Sequence, residues 1–161
     1  MSQPVPPPSG NPFAGGTPYA PTPPPAPTRD NLALGIVVAL VAALVGAGAY
    51  GALIGAIERE IGYAAVGVGY LIGFAGSKVG GRNPALPFVS VVLAIPAVYL
   101  GQLVGGAVLL AKLTDGSFAE VFIDHFGVLA EAWSDAAGAM DYLFLAIGAA
   151  AAYAGAKKAN G

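Results

Sequence analysis

Cysteine is absent from this chain of 161 residues, which excludes disulfide frameworks, thiol nucleophiles and cysteine-ligated metals. Charge is nearly as scarce. Asp, Glu, Lys and Arg make up 10% of the residues, against about 25% in an ordinary soluble domain. Seven basic and nine acidic side chains cannot cover the surface of a water-soluble fold of this size. A net charge of −2 without a long basic run leaves nothing to track phosphates, so nucleic acid is excluded as a partner. Histidine occurs once, as His125, and no Ser–His–Asp set forms around it with Ser117 or Ser134. One imidazole among scattered carboxylates is also thin for zinc, which needs three or four converging ligands. The spaced pairs Glu120 with Asp124 and Glu131 with Asp135 read as a solvated acidic face, with weak affinity for a hard cation at most. Gly67 and Gly69 lie within an apolar run that lacks the preceding strand and the Gly-Lys-Ser/Thr signature of a phosphate loop. The chain therefore reads as non-enzymatic, with no cofactor and no metal.

What is abundant is apolar: 56% of residues, gathered into long blocks rather than spread at core-forming intervals. That pattern takes lipid as its solvent. Residues 1–28 stand apart, holding eleven of the fourteen prolines among Ser, Gly, Asn and Thr. Proline fixes φ and removes backbone donors, so this stretch is expected to be a disordered, partly polyproline-II tail. It lacks the basic start and immediate apolar core of a signal peptide.

Four spans follow. Residues 32–57 carry no charge and would reach about 39 Å as a helix, enough to cross a ~30 Å hydrocarbon core with tilt. Residues 61–77 give an uncharged run at the short end of the spanning range, extended by a snorkelling Lys78. The turn between these spans is Glu58, Arg59 and Glu60, so the two form a tight hairpin. After the turn at Gly80, Gly81, Arg82, Asn83 and Pro84, the third span covers 86–111, with Pro87 at its start and Pro96 inside, where a kink is expected. The fourth, 139–156, is the weakest because much of it is alanine. The fold class is thus all-α: an integral membrane helical bundle of four transmembrane helices plus an external amphipathic helix.

Basic residues set the orientation. Arg29, Lys78, Arg82, Lys157 and Lys158 fall on one side, against Arg59 and Lys112 on the other. The positive-inside rule then places both termini in the cytoplasm. Residues 118–135 face outward. Ser117 with Glu120 reads as a capping box, and Phe118, Val121, Phe122, Phe126, Leu129 and Trp133 share one face of the helix that follows. Such a helix should lie in the interface with its aromatics among the headgroups, either as a linker over the bundle mouth or as a face for a protein partner.

Within the spans, Gly51 and Gly55, Gly69 and Gly73, Gly76 and Gly80, and Gly101 and Gly105 are each four residues apart. Rows of this kind let helix backbones approach closely, within one bundle or between copies in a homo-oligomer. Gln102 is the clearly polar residue deep in a span, with Ser90 nearer the end of the same helix. It serves either as interhelical glue or as the lining of a narrow path.

The run Glu60-Ile61-Gly62-Tyr63-Ala64-Ala65-Val66-Gly67-Val68-Gly69-Tyr70-Leu71-Ile72-Gly73 resembles a motif of small bacterial multi-span membrane proteins without an assigned activity. In those, an acidic residue and an aromatic after Gly precede a Gly-x-Gly run and a further small residue. Some also carry a zinc ribbon and an earlier basic residue, which this cysteine-free chain with Lys78 does not match. The proline-rich tail and Ala/Gly-heavy composition are similar to those of actinobacterial membrane proteins. The resulting expectation is a scaffold or modulator of a membrane partner, engaged through the tail or the external helix and bathed in lipid. The alternative is a small pore or transporter subunit acting as a homo-oligomer.

Overall fold

The computed structural model describes residues 30–59 and 62–161; the proline-rich tail, Arg29, Glu60 and Ile61 lie outside the described residues. Its elements are all helical: α1 (Leu32–Ile57), α2 (Gly62–Gly80), α3 (Leu86–Leu113), a π-helical segment (Glu120–Asp124), α4 (Phe126–Ala136) and α5 (Ala139–Ala159). Three of these, α1, α3 and α5, are long and apolar enough to cross a membrane. The alanine-rich α5, at 21 residues, belongs to that set. Glycine-rich α2 does not, because six of its positions are glycine and Ser77 and Lys78 add two polar ones, all contributing little apolar transfer energy.

The helices sort their side chains in the reverse of a soluble bundle. The buried positions of α1 are almost all small: Gly35, Ala39, Ala42, Ala43, Gly46, Ala47 and Gly51. Leu34, Val37, Val41, Leu44 and Val45 point outward and are exposed. In water a contiguous face of that kind would be a liability, whereas in hydrocarbon it costs nothing and the small face lets neighbours close in.

The glycines show where the helices close in. Gly51 and Gly55 sit against Val104 and Val108 of α3, and the partner position advances in step, so α1 and α3 run parallel. Gly69 and Gly73 meet the carbonyl oxygens of Gly148 and Ala152, so α2 and α5 are parallel too. Antiparallel contacts link the two pairs. A Cβ on Gly76 would stand 2.8 Å from Ala39 Cβ, and one on Gly80 would stand 2.7 Å from Gly35 Cα. Gly101 and Gly105 face Tyr50 and Ile54 at 2.6 and 2.7 Å on the same measure. All eight glycines of the four-apart pairs are thus occupied in contacts within the chain. Both α1 and α5 pack on α2 and α3 without touching each other, so α2 and α3 form the centre.

One end of the bundle, the base, gathers the start of α1, the α2–α3 turn and the end of α5. Backbone at Asp30 pairs with Gly81, a glycine whose φ of 82° needs the absence of a Cβ. The Asn31 amide donates to the Gly80 carbonyl at 2.9 Å, and the Asn31 side chain caps α1 by accepting from Leu34 N–H at 3.1 Å. Asn83 donates to both carboxylate oxygens of Asp30, at 2.9 and 3.0 Å, and Arg82 donates to the Asn160 carbonyl at 3.0 Å. Between base and far end, α3 runs unbroken through Pro96, and Ser90 returns its hydroxyl to the Leu86 carbonyl at 2.8 Å.

Candidate functional site

The far end, the crown, is built differently. Residues 118–136 fold back across α3, but not as the single amphipathic helix that the sequence pattern predicts. The wide π turn at Glu120–Asp124 shifts the phase, and His125 breaks the helix at φ −117°, ψ 22° before α4 resumes. The one predicted face is therefore split in two. Val121 and Leu129 are buried against Leu103, Ala107 and Ala111, with Phe122 and Trp133 half-buried beside them. Phe118 and Phe126 remain exposed, joined by Ile123 at 71% and Val128 at 63% exposure. Phe118 and Phe122 stack at 5.4 Å, and Phe126 meets Phe122 edge-on at 5.6 Å. The Ser117 carbonyl accepts from Val121 N–H at 3.1 Å, as an N-cap carbonyl does, yet the side-chain half of the expected capping box with Glu120 is not made.

Trp133 folds over the mouth of the bundle, where its indole Nε1–H donates to Gln102 Oε1 at 3.2 Å. Gln102 is 6% exposed, so the alternative of leaving its amide without partners would be costly. Tyr99 packs edge-on to the indole at 4.8 Å, and Tyr142 does so from α5 at 5.8 Å. The sequence reading missed both tyrosines. A signal was present for Tyr99, which lies three residues before Gln102 and so on the same face of α3.

Around this contact the packing opens. A cavity of about 310 Å³ is lined by Glu58, Arg59, Gln102, Gly106, Trp133 and Asp141, among others. Beside it lies a second of about 270 Å³, sharing Gln102, Gly106 and Trp133 but otherwise lined by Leu103, Leu110, Leu129 and Ala132. The rim of the first cavity is held in place by local bonds. Asp141 Oδ2 accepts from Gly138 N–H at 2.7 Å, fixing the start of α5. Lys112 Nζ donates to the Gly55 carbonyl at 2.6 Å, one of the free carbonyls at the end of α1, and lies 3.4 Å from Glu58. Glu58 itself closes α1 in the left-handed conformation, at φ 57°.

His125 Nδ1 lies 3.2 Å from the Glu120 carbonyl, an oxygen that only accepts, so Nδ1 carries the proton. Glu120, Asp124, Glu131 and Asp135 do not converge with it, and among the described residues no group of three ligating side chains could hold a metal ion. Comparison with protein-family models, with curated proteins and with solved structures gives no match to this chain.

Proposed function

We propose that this chain is a four-span inner membrane protein with both termini in the cytoplasm, acting without catalysis as a scaffold or modulator of a membrane partner. The observation that carries the reading is the exposed apolar ridge of the crown, Phe118, Ile123, Phe126 and Val128, on a segment whose opposite face is anchored to α3. A segment fixed on one side and apolar on the other is suited to a partner's transmembrane helix at the lipid boundary. Four spans are supported by the position of α2, which runs from crown to base between α1 and α5. The orientation is supported by Lys78, Arg82, Lys157 and Lys158 at the base, against Arg59 and Lys112 at the crown. The likeness of the second span to small bacterial membrane proteins fits this placement.

The experiment is affinity purification of the full chain from its native membrane beside the triple variant Phe118→Ser, Ile123→Ser, Phe126→Ser. A partner that co-purifies with the wild type and is lost from the variant supports the crown as the contact. A partner that survives the triple substitution but is lost on deleting residues 1–28 moves the contact to the tail. The second reading, a pore or transporter subunit in a homo-oligomer, draws on the cavity that descends from the crown to Gln102. It requires solute flux in proteoliposomes that Gln102→Leu abolishes.

A further inference from the structure

The two cavities flanking Trp133 are chemically unequal. The first has three charged side chains on its wall, Glu58, Arg59 and Asp141, while the second is lined by leucines and alanine with Gln102 as its polar member. They share Gln102, Gly106 and Trp133, so they adjoin as a groove beneath α4 that Trp133 and Gln102 divide into a charged part and an apolar part. The volumes, about 310 and 270 Å³, fall at and just below the bottom of the ~300–1,000 Å³ range of ligand pockets. A groove divided in this way, at the end of a bundle whose flanks are apolar, matches an amphiphile rather than a soluble metabolite.

The charges narrow the headgroup. Among the described residues the Arg59 guanidinium makes no ion pair or hydrogen bond, and its planar fork suits a phosphate. Glu58 and Asp141 stand on the same wall and favour a cation, as does the indole face of Trp133. A phosphate joined to an ammonium satisfies both signs. Glu58 already lies 3.4 Å from Lys112 Nζ, so the carboxylate left without an ion pair among the described residues is Asp141, and a net-anionic headgroup would meet it without compensation. We infer that the groove beneath α4 binds a zwitterionic glycerophospholipid, with its phosphate at Arg59, its ammonium toward Asp141, and one acyl chain along Leu103, Leu110 and Leu129. The inference rests on the membrane placement of the crown given above, not on the partner contact made by its apolar ridge.

Trp133 is the only tryptophan in the chain, so it reports on the groove without labelling. The full chain in mild detergent micelles is titrated with phosphatidylethanolamine or phosphatidylglycerol brominated on the acyl chains, and indole fluorescence is followed. Binding in the groove gives saturable quenching at about one lipid per chain, with half-saturation reached at several-fold less phosphatidylethanolamine than phosphatidylglycerol. Gly106 lines both cavities, and a Cβ there meets only Leu129 Cδ1, at 3.6 Å, so the site admits a side chain. Gly106→Leu fills the groove and should abolish the saturable component. Arg59→Gln alters only an exposed side chain, so it keeps the test valid if Gly106→Leu does not fold; it should raise the half-saturation ratio for phosphatidylethanolamine several-fold. Quenching that rises linearly and equally for both lipids, a preference for the anionic lipid, or indifference to Arg59→Gln would overturn the inference. Micelle quenching is insensitive to sidedness and to any protein partner, so its failure is distinguishable from failure of the scaffold reading.

Discussion

Replacing Gly73 by alanine tests the seam on which the bundle depends. A Cβ built at Gly73 stands 2.9 Å from the Ala156 amide nitrogen and 2.7 Å from the Ala152 carbonyl carbon, closer still to that carbonyl's oxygen. These are backbone atoms of α5 and cannot rotate away, so α2 and α5 must separate or shift along their whole contact. Overpacking of this kind costs about 1–3 kcal/mol. At about 4 °C per kcal/mol for a domain of this size, the midpoint of thermal unfolding should fall by about 4–12 °C. Gly67 on the same helix is the control, because a Cβ there meets nothing within 4 Å. Gly67→Ala should raise the midpoint by about 2–4 °C, since alanine is favoured over glycine in a helix by about 0.5–1 kcal/mol. The assay is far-UV circular dichroism of the purified full chain in one detergent, heated at one rate. Equal shifts for the two variants, or a larger loss at Gly67, would refute the parallel seam between α2 and α5.

Three further outcomes follow from single contacts. Gln102→Leu and Trp133→Phe each leave a polar partner behind and should destabilise by about 1–3 kcal/mol; the double variant should lose less than the sum, measured as a coupling in the unfolding midpoints. Ser77 is fully buried with a hydroxyl that has no partner among the described residues, so Ser77→Ala should be neutral or stabilising, while Ser90→Ala, which removes the bond to the Leu86 carbonyl, should cost about 1 kcal/mol; the two midpoints falling together would contradict this. Lys112→Met removes the donor to the Gly55 carbonyl and should lower stability by about 1 kcal/mol with little dependence on salt, because the exposed pair with Glu58 contributes little; a loss that vanishes at high ionic strength would point to the ion pair instead.

Much of the bundle was legible because long apolar runs and charged turns are local properties. The boundaries predicted for the first and third spans, 32–57 and 86–111, lie within two residues of α1 and α3. Composition alone misorders the other two. Residues 139–156 were the weakest expectation, yet α5 extends to Ala159 and is apolar enough to cross a membrane, whereas α2 is not among the helices that are. A glycine contributes nothing to hydropathy, but it sets how near a neighbour can come, and that depends on residues such as Gly148 and Ala152 far along the chain. The crown was the least legible part. Phe118, Phe122, Phe126 and Trp133 are in phase on a regular helix, and nothing local announces that the turn at Glu120–Asp124 widens and that His125 interrupts it. The contact between Trp133 and Gln102 spans 31 residues and depends on that change of phase.

Base and crown differ in a way that bears on function. At the base, Asn31, Arg82 and Asn83 tie three separate stretches of chain together, and Gly35 and Gly80 bring α1 and α2 to near backbone contact. The α2–α3 turn is hydrogen-bonded to both of the others, so moving it away would break both sets of bonds. At the crown, α4 rests on a few side chains of α3, flanked by cavities and entered through a π turn. Elements with few buried contacts open at lower free energy than the core that carries them. Lifting α4 would expose Gln102, lengthen the groove and move the ridge of Phe118, Ile123 and Phe126 while leaving the glycine seams intact. A lipid beneath α4 and a protein partner on its far side would then act on the same element, so that binding of either changes the affinity for the other.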